Sequence, residues 1–343
     1  MRFFWDKFQN HPCMELATWT SHPSFPHKCI PLGLHGDAVP TTGVGKVWTK
    51  MQLCFSWSSL LKISSTKASN FLIWSVPWLT FHFHKLRVTF KYFFFFHSKV
   101  LGRKVRGCNF FLVSKLSPGV FEPLMSRVTL DEVFQILNWS FECMSSGTFP
   151  SCDWKGRSFD VDSPAGKKAG SALAGGYIAP LVALQGDLEY FSTHLQMPRW
   201  NAGSGCCSLC RAGGSGVTSC KVFGDTAPWR ETIWTASSWK AWGHRSQAKI
   251  FDLPWLSACN VCLDYLHCKH LGTDQYQFAS ILYILCYHIL DNEPATNLAV
   301  IWNRIKALYA EANTPYRYKY LNKLSMFVRA KGPCKLRGKG SEI

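Results

Sequence analysis

An α/β fold is what this sequence predicts, and three stretches carry the prediction. "YIAPLVALQGD" (177–187) is a near-continuous apolar run ending at an acid, the pattern of a buried strand. "TLDEVFQILNWSFECMSSG" (129–147) places Val133, Ile136, Leu137, Phe141 and Met144 on one helical stripe. "EPATNLAVIWNRIKALYAEAN" (293–313) does the same with Leu298, Ile301, Trp302, Ile305, Leu308 and Tyr309.

Taken in chain order, the start "MRFFWDKFQNHP" has no apolar signal core, so the chain is expected not to be secreted. Residues 30–61 read as strands and turns, with an apolar segment that reaches Asp37 before Gly and Pro punctuate it. "GVGKV" is not a phosphate loop: Pro40 occupies the position of the first glycine, and Val47 replaces the hydroxyl residue that would bind magnesium. Residues 82–116 differ from the rest, with eight Lys or Arg, no acid, and a phenylalanine run of neither helical nor strand period. They read as a translated non-coding insert or splicing error. The alternative is a basic and aromatic nucleic-acid patch, because cations suit phosphates and rings suit stacked bases. As an insert they are expected to interrupt no core strand and to expose Phe93–Phe96.

Helix signals then return. Thr129 and Glu132 form a capping box and Gly147 is the stop. Residues 187–197 read as a helix or turn after the strand, and "YQFASILYILCYHIL" (276–290) as a buried helix. Pro294 suits a first turn, and Asn313 closes the last helix before Pro315.

Composition sets the bounds. With 343 residues, 47% of them apolar, the chain is long enough for one large domain or two modest ones. No apolar run is long enough to span a membrane. The net charge is 38 − 21 = +17, unevenly placed. No Asp or Glu occurs between Asp37 and Glu122, where 12 Lys or Arg do, and residues 316–340 carry eight more without an acid. Such runs favour a polyanion or form a solvated basic face; with DNA as partner, Lys331, Lys335, Arg337 and Lys339 are the expected contacts. The 15 cysteines are irregularly spaced, which favours reduced thiols with a few binding metal over a disulfide framework.

Three constellations carry chemistry. Asp37 and Asp187 each follow a glycine at the end of an apolar strand, where acids of neighbouring strands converge on divalent cations. The two are expected on adjacent strands. Cys207 and Cys210 form a Cys-x-x-Cys pair and Cys259 and Cys262 another; together they suit a tetrahedral zinc site, with Cys220, His267 or His270 as rival ligands and free thiols as the plain alternative. Asp264 and His267 share a helical face, to orient the imidazole, bind a cation, or cap and pack.

The ordered series "IPLGLHGDAVP", "GKVW", "SWSSLL", "LAGGYIAPLVALQGDLEYF", "CSLCRA", "LDYLHCKHLGTDQYQFASILYILCY" and "NKLSMF" resembles a transposase-like protein family of unicellular algae, itself distantly similar to CACTA-type (En/Spm) transposases. The likeness covers residues 20–62 and 120–343. It implies a ribonuclease H-like mixed sheet with flanking helices and an Asp-Asp-Glu site for Mg2+ or Mn2+. Asp37 would be the first acid, Asp187 the second, Cys207 and Cys210 the cysteine pair, and Asp264 with His267 the element supporting the core near the active site. Leu266 stands where methionine is common, and Cys259 and Cys262 fall in no motif of the family. Glu293, Glu311 and Glu342 are the glutamates after Asp264, and none has the context of the third acid. The resemblance therefore implies a nuclear, DNA-binding transposase relic, truncated, incomplete at its C-terminus and inactive, with no small-molecule substrate. The expected division is 1–62 as the first part of the core, 63–118 as the insert, and 119–343 as the remainder, with a Cys-rich insertion at about 200–262 and a helical C-terminal part. A non-catalytic nucleic-acid binder and a zinc-stabilised interaction module are the alternatives.

Overall fold

The computed structural model of the chain describes residues 1–42, 50–61, 70–77, 86–92, 99–100, 103–104, 112–117, 127–199, 205–242, 246–313, 321, 323–329 and 333–335. They form two units, Met1–Cys262 and Leu263–Ile343, each with its own core. The strands described are β1 (Leu32–Thr42), β2 (Lys50–Ser59), β3 (Asn70–Pro77), β4 (Leu86–Tyr92), β5 (Lys99–Val100), β6 (Arg103–Lys104), β7 (Leu112–Ser117), β8 (Leu181–Gly186) and β9 (Val261–Leu263).

A mixed five-stranded sheet of order β3-β2-β1-β8-β9 centres the first unit. β1, β2 and β3 form an antiparallel meander, and β8 pairs with β1 in parallel. Alternation explains the first strands: Leu32 and Leu34 on β1, and Leu53 and Phe55 on β2, point into the core and are essentially without exposure. β8 does not alternate. Leu181, Val182, Ala183 and Leu184 are all buried, as expected of a strand covered on both faces.

A parallel neighbour needs a crossover, and the helix Arg127–Ser146 lies on that path. Its predicted stripe is buried at Val133, Ile136, Leu137 and Phe141, and Phe134 meets Phe55 edge-on with centroids 5.8 Å apart. Gly147 ends it at φ +66°, the left-handed turn of a glycine stop. The predicted capping box is displaced: the helix begins at Arg127, so Thr129 lies inside its first turn. After it, the Trp255 indole donates to the Leu181 carbonyl (2.9 Å) and the Asn260 amide to that of Val182 (3.0 Å), tying the later chain to β8.

The boundaries of the expected insert change. Asn70–Pro77, placed by sequence inside 63–118, pairs with β2 as the edge strand of the main sheet. Beyond it, β4 pairs with β7 and β5 with β6, in sheets separate from the central one. Phe93–Phe96 and "GVGKV" lie outside the described residues. Within the expected remainder 119–343, the boundary between the two units falls at Cys262 and Leu263.

In the second unit, the helices Gln275–Ile284 and Pro294–Glu311 bury Ala279, Leu282, Leu298 and Trp302, joined by Cys286, Leu321 and Phe327. Pro294 opens the second helix and Asn313, at φ +52°, follows its end, as the sequence predicts. Residues 276–290 bury one stripe only, since Ile281, Ile284 and Ile289 are exposed. Among the described residues, no helix is long and apolar enough to cross a membrane.

Candidate functional site

The site is built on the parallel pair β1 and β8. Leu34 stands opposite Leu184 and His35 opposite Gln185. The paired residues end at His35 and Gln185; Asp37 lies two residues further along β1, and Asp187 directly follows the end of β8. Both acids are half-buried.

The glycine before each acid has a packing reason. Gly36 and Gly186 lie side by side on the core face, and a Cβ on Gly186 would come 2.8 Å from the Gly36 carbonyl. The ring of Tyr190 covers both, so that a Cβ on either would fall inside it. Burial pushes the Tyr190 phenol well above its usual range, and its hydroxyl, with no hydrogen-bond partner, stays neutral. Strand alternation then turns His35 and Asp37 to the opposite face, beside Cys54 and Ser56 of β2. Burial first, and then the charge of Asp37, push the Cys54 thiol up.

Asp187 has a second task. It is the N-cap of the short helix Leu188–Thr193, its Oδ1 accepting the Tyr190 N–H at 2.6 Å. The same turn thus seats the tyrosine on the two glycines and orients the carboxylate. His194, one residue past this helix, is buried; burial lowers its pKa, against the upward pull of Glu189 and Asp187. Chemically, carboxylates at neighbouring strand ends suit a divalent cation when they converge. Among the described residues, no three His, Cys, Asp or Glu side chains form a group able to hold a metal ion.

Asp264 and His267 belong to the second unit, where they organise a helix start. Asp264 Oδ1 accepts the Leu266 N–H (2.8 Å), and Oδ2 lies 2.5 Å from His267 Nδ1. Lys269 and His270 converge on Asp274 at 2.7 and 3.1 Å. The Lys269 hydrogen bond, with help from His270, holds the Asp274 carboxyl below its usual range. Sequence reasoning missed Asp274, although its i, i+4 spacing from His270 was the available signal.

Cys207 and Cys210 come together, but their company is Cys206 and Cys220. Cys259 and Cys262 instead neighbour Cys13. Of the basic tail residues, Lys335 is described: its backbone N–H donates to the Phe327 carbonyl (3.0 Å) and its ammonium lies 5.1 Å from the centre of the Tyr276 ring. Lys331, Arg337 and Lys339 lie outside the described residues. Two further cation and ring pairs sit in the first unit, Arg211 over Trp234 at 4.8 Å and Arg230 over Trp229 at 5.0 Å.

No family model, no curated protein and no solved structure matches the chain.

Proposed function

We propose that this chain is a transposase-derived, DNA-binding protein of ribonuclease H-like architecture, in which Asp37 and Asp187 bind a divalent cation. The observation that supports the reading is the parallel pairing of β1 and β8, with one acid following a glycine near the end of each strand. The strand order β3-β2-β1-β8-β9, with its antiparallel meander and one crossover helix, supports the architecture. Two carboxylates without a third hold a cation weakly, and phosphodiester cleavage by paired metals loses most of its rate when a ligand is missing. The biochemical activity proposed is therefore binding rather than cutting, with the net charge of +17 as its source and the nucleus as its place. The N-cap role of Asp187 favours a second reading, a nucleic-acid binder in which the acid pair is structural.

Mn2+ binding to the full chain, followed by the resonance signal of the free ion, separates the two readings. Asn at position 187 keeps the cap while removing the charge. The double variant Asp37→Asn, Asp187→Asn is expected to lose about tenfold or more in Mn2+ affinity while remaining folded. An affinity equal to that of the unaltered chain removes the cation pair and leaves the structural reading.

DNA binding is tested by its salt dependence. Log K for a duplex should fall linearly with log salt, with a slope of about −0.9 per phosphate contact. Changing Lys331, Lys335, Arg337 and Lys339 to Gln together is expected to flatten that slope by roughly three units. A slope left unchanged takes the tail out of the interface, and a chain that does not bind DNA even in dilute salt ends the proposal.

A further inference from the structure

Three segments of the first unit make one surface. Residues 170–173 run antiparallel to 147–149. The Phe149 N–H donates to the Ser171 carbonyl (2.9 Å), the Gly170 N–H to that of Phe149 (2.9 Å) and the Leu173 N–H to that of Gly147 (2.6 Å). The chain then turns through Ala174, Gly175 and Gly176, and Ile178 docks on the N-terminal segment, its N–H donating to the Lys28 carbonyl (2.9 Å). The Ser24 hydroxyl ties the same turn down, donating to the Gly176 carbonyl at 2.7 Å. All three turn residues are left-handed, at φ +52°, +66° and +82°, a conformation uncommon for a residue with a Cβ such as Ala174. A Cβ at Gly175 would meet nothing within 4 Å, so the turn offers bare backbone at the surface.

What this surface displays is cationic. Lys28, Lys167 and Lys168 are exposed, and so are His27 and Tyr177. Residues 22–28, 147–149 and 166–178 contain no Asp or Glu. Elsewhere on this unit, Lys155, Arg157, Arg199 and Lys249 stand 3.9, 2.6, 3.1 and 3.3 Å from a carboxylate. Lys28, Lys167 and Lys168 have no such partner among the described residues. Instead, the Lys28 ammonium lies 5.9 Å from the centre of the Tyr177 ring, and that of Lys168 lies 5.6 Å from the centre of the Phe149 ring. A ring attracts an ammonium without neutralising it, so the charge stays available to an anion.

We infer that this surface binds the phosphate backbone of duplex DNA, with Lys28, Lys167 and Lys168 as the phosphate contacts. The inference deepens the DNA reading and rests on it. Phosphates recur along each strand, so cations fixed on an ordered backbone meet several at once, and each contact releases condensed counterions. The Tyr177 phenol is a further donor of the kind that phosphate oxygens accept. Backbone contacts carry no sequence information, so the affinity this surface supplies is the same for unrelated duplexes.

The test titrates the full chain with short duplexes of unrelated sequence over a range of salt. The triple variant Lys28→Gln, Lys167→Gln, Lys168→Gln is expected to flatten the fall of log K with log salt by about two to three units on every duplex. Arginine at the same three positions should keep the original slope. The control triple Lys155→Gln, Arg157→Gln, Lys249→Gln removes equal charge from cations that already have carboxylate partners, and should change the slope by less than about one unit. A slope that the first triple leaves unchanged, that arginine fails to keep, or that the control triple changes as much, removes this surface and leaves the DNA reading standing. A chain that binds no duplex even in dilute salt removes both. If the glutamine variant does not fold, acetylation of the unaltered chain decides. Bound duplex should slow modification of Lys28, Lys167 and Lys168 several-fold, read peptide by peptide, and leave Lys155 unaffected. Equal rates with and without DNA overturn the inference.

Discussion

Gly36→Ala is expected to destabilise the first unit by about 3 kcal/mol. A Cβ at this position falls inside the ring of Tyr190, and neither party can withdraw. Gly36 belongs to β1, paired on one side with Phe55 of β2 and on the other with the parallel strand β8. Tyr190 is buried, with its ring set edge-on to Phe55 at 6.1 Å and 5.5 Å from that of Phe191. Gly186→Ala meets the same ring from the other strand and should cost as much. Urea unfolding followed by tryptophan fluorescence reads this unit, which holds most of the indoles. Adding Tyr190→Ala to Gly36→Ala should recover part of the loss, a coupling of about 1 kcal/mol or more. Tyr190→Phe should be neutral or stabilising, because it removes a buried hydroxyl that has no partner. A Gly36→Ala chain within about 0.5 kcal/mol of the original would mean that the ring does not sit on the strands.

Asn297→Ala is expected to unfold the second unit, or to cost it about 3 kcal/mol or more. Asn297 has no exposure. Its amide donates to the carbonyls of Cys286 (2.9 Å), Leu290 (3.0 Å) and Asn292 (2.6 Å), and its oxygen accepts the Asn292 N–H (3.3 Å). Those carbonyls lie at the end of one helical run and in the turn leading to the next, where the backbone has no helical partners of its own. Removing the side chain leaves the buried Cys286 carbonyl bare, at about 1–3 kcal/mol, and also loses the part-buried bonds to Leu290 and Asn292. Asn297→Asp replaces donors with acceptors facing carbonyls and should be worse. Hydrogen exchange of the Pro294–Glu311 amides measures the effect on this unit alone; protection equal to that of the unaltered chain would show that the network is dispensable.

The two positions differ in how visible they are. Asn297 is a polar residue one place before the predicted apolar stripe of its helix, and nothing in its neighbours marks it as buried. Gly36 and Gly186 each precede an acid at a strand end, which attracted notice for the acid. The glycine is explained only once β1 and β8 lie side by side and one aromatic ring has to cover both. Asp187 shows the same division. Its place after an apolar strand is local and legible, whereas its capping of Leu188–Thr193 depends on where the chain turns.

By itself the sequence determined the parts whose cause is local. The apolar run of β8, the stripe of Arg127–Ser146, the glycine stop at Gly147, and the Pro294 start and Asn313 end of the last long helix follow from periodicity and backbone preference within a few residues. Tertiary structure decided what depends on partners far along the chain. Asn70–Pro77 has a β-compatible composition but no signal that sets it apart from the basic segment after it; its place in the central sheet comes from pairing with β2. Cys206 and Cys220 join the Cys-x-x-Cys pair because backbone hydrogen bonds to Ala212 and Gly213 bring them there, not because of their spacing. Gly36 and Gly186, 150 residues apart, become neighbours through the parallel pairing of β1 and β8, with the helix Arg127–Ser146 between them in the chain. The physical reason is the same in each case: propensity acts over one or two turns of chain, while strand pairing and side-chain burial are settled by whichever distant segment excludes water best.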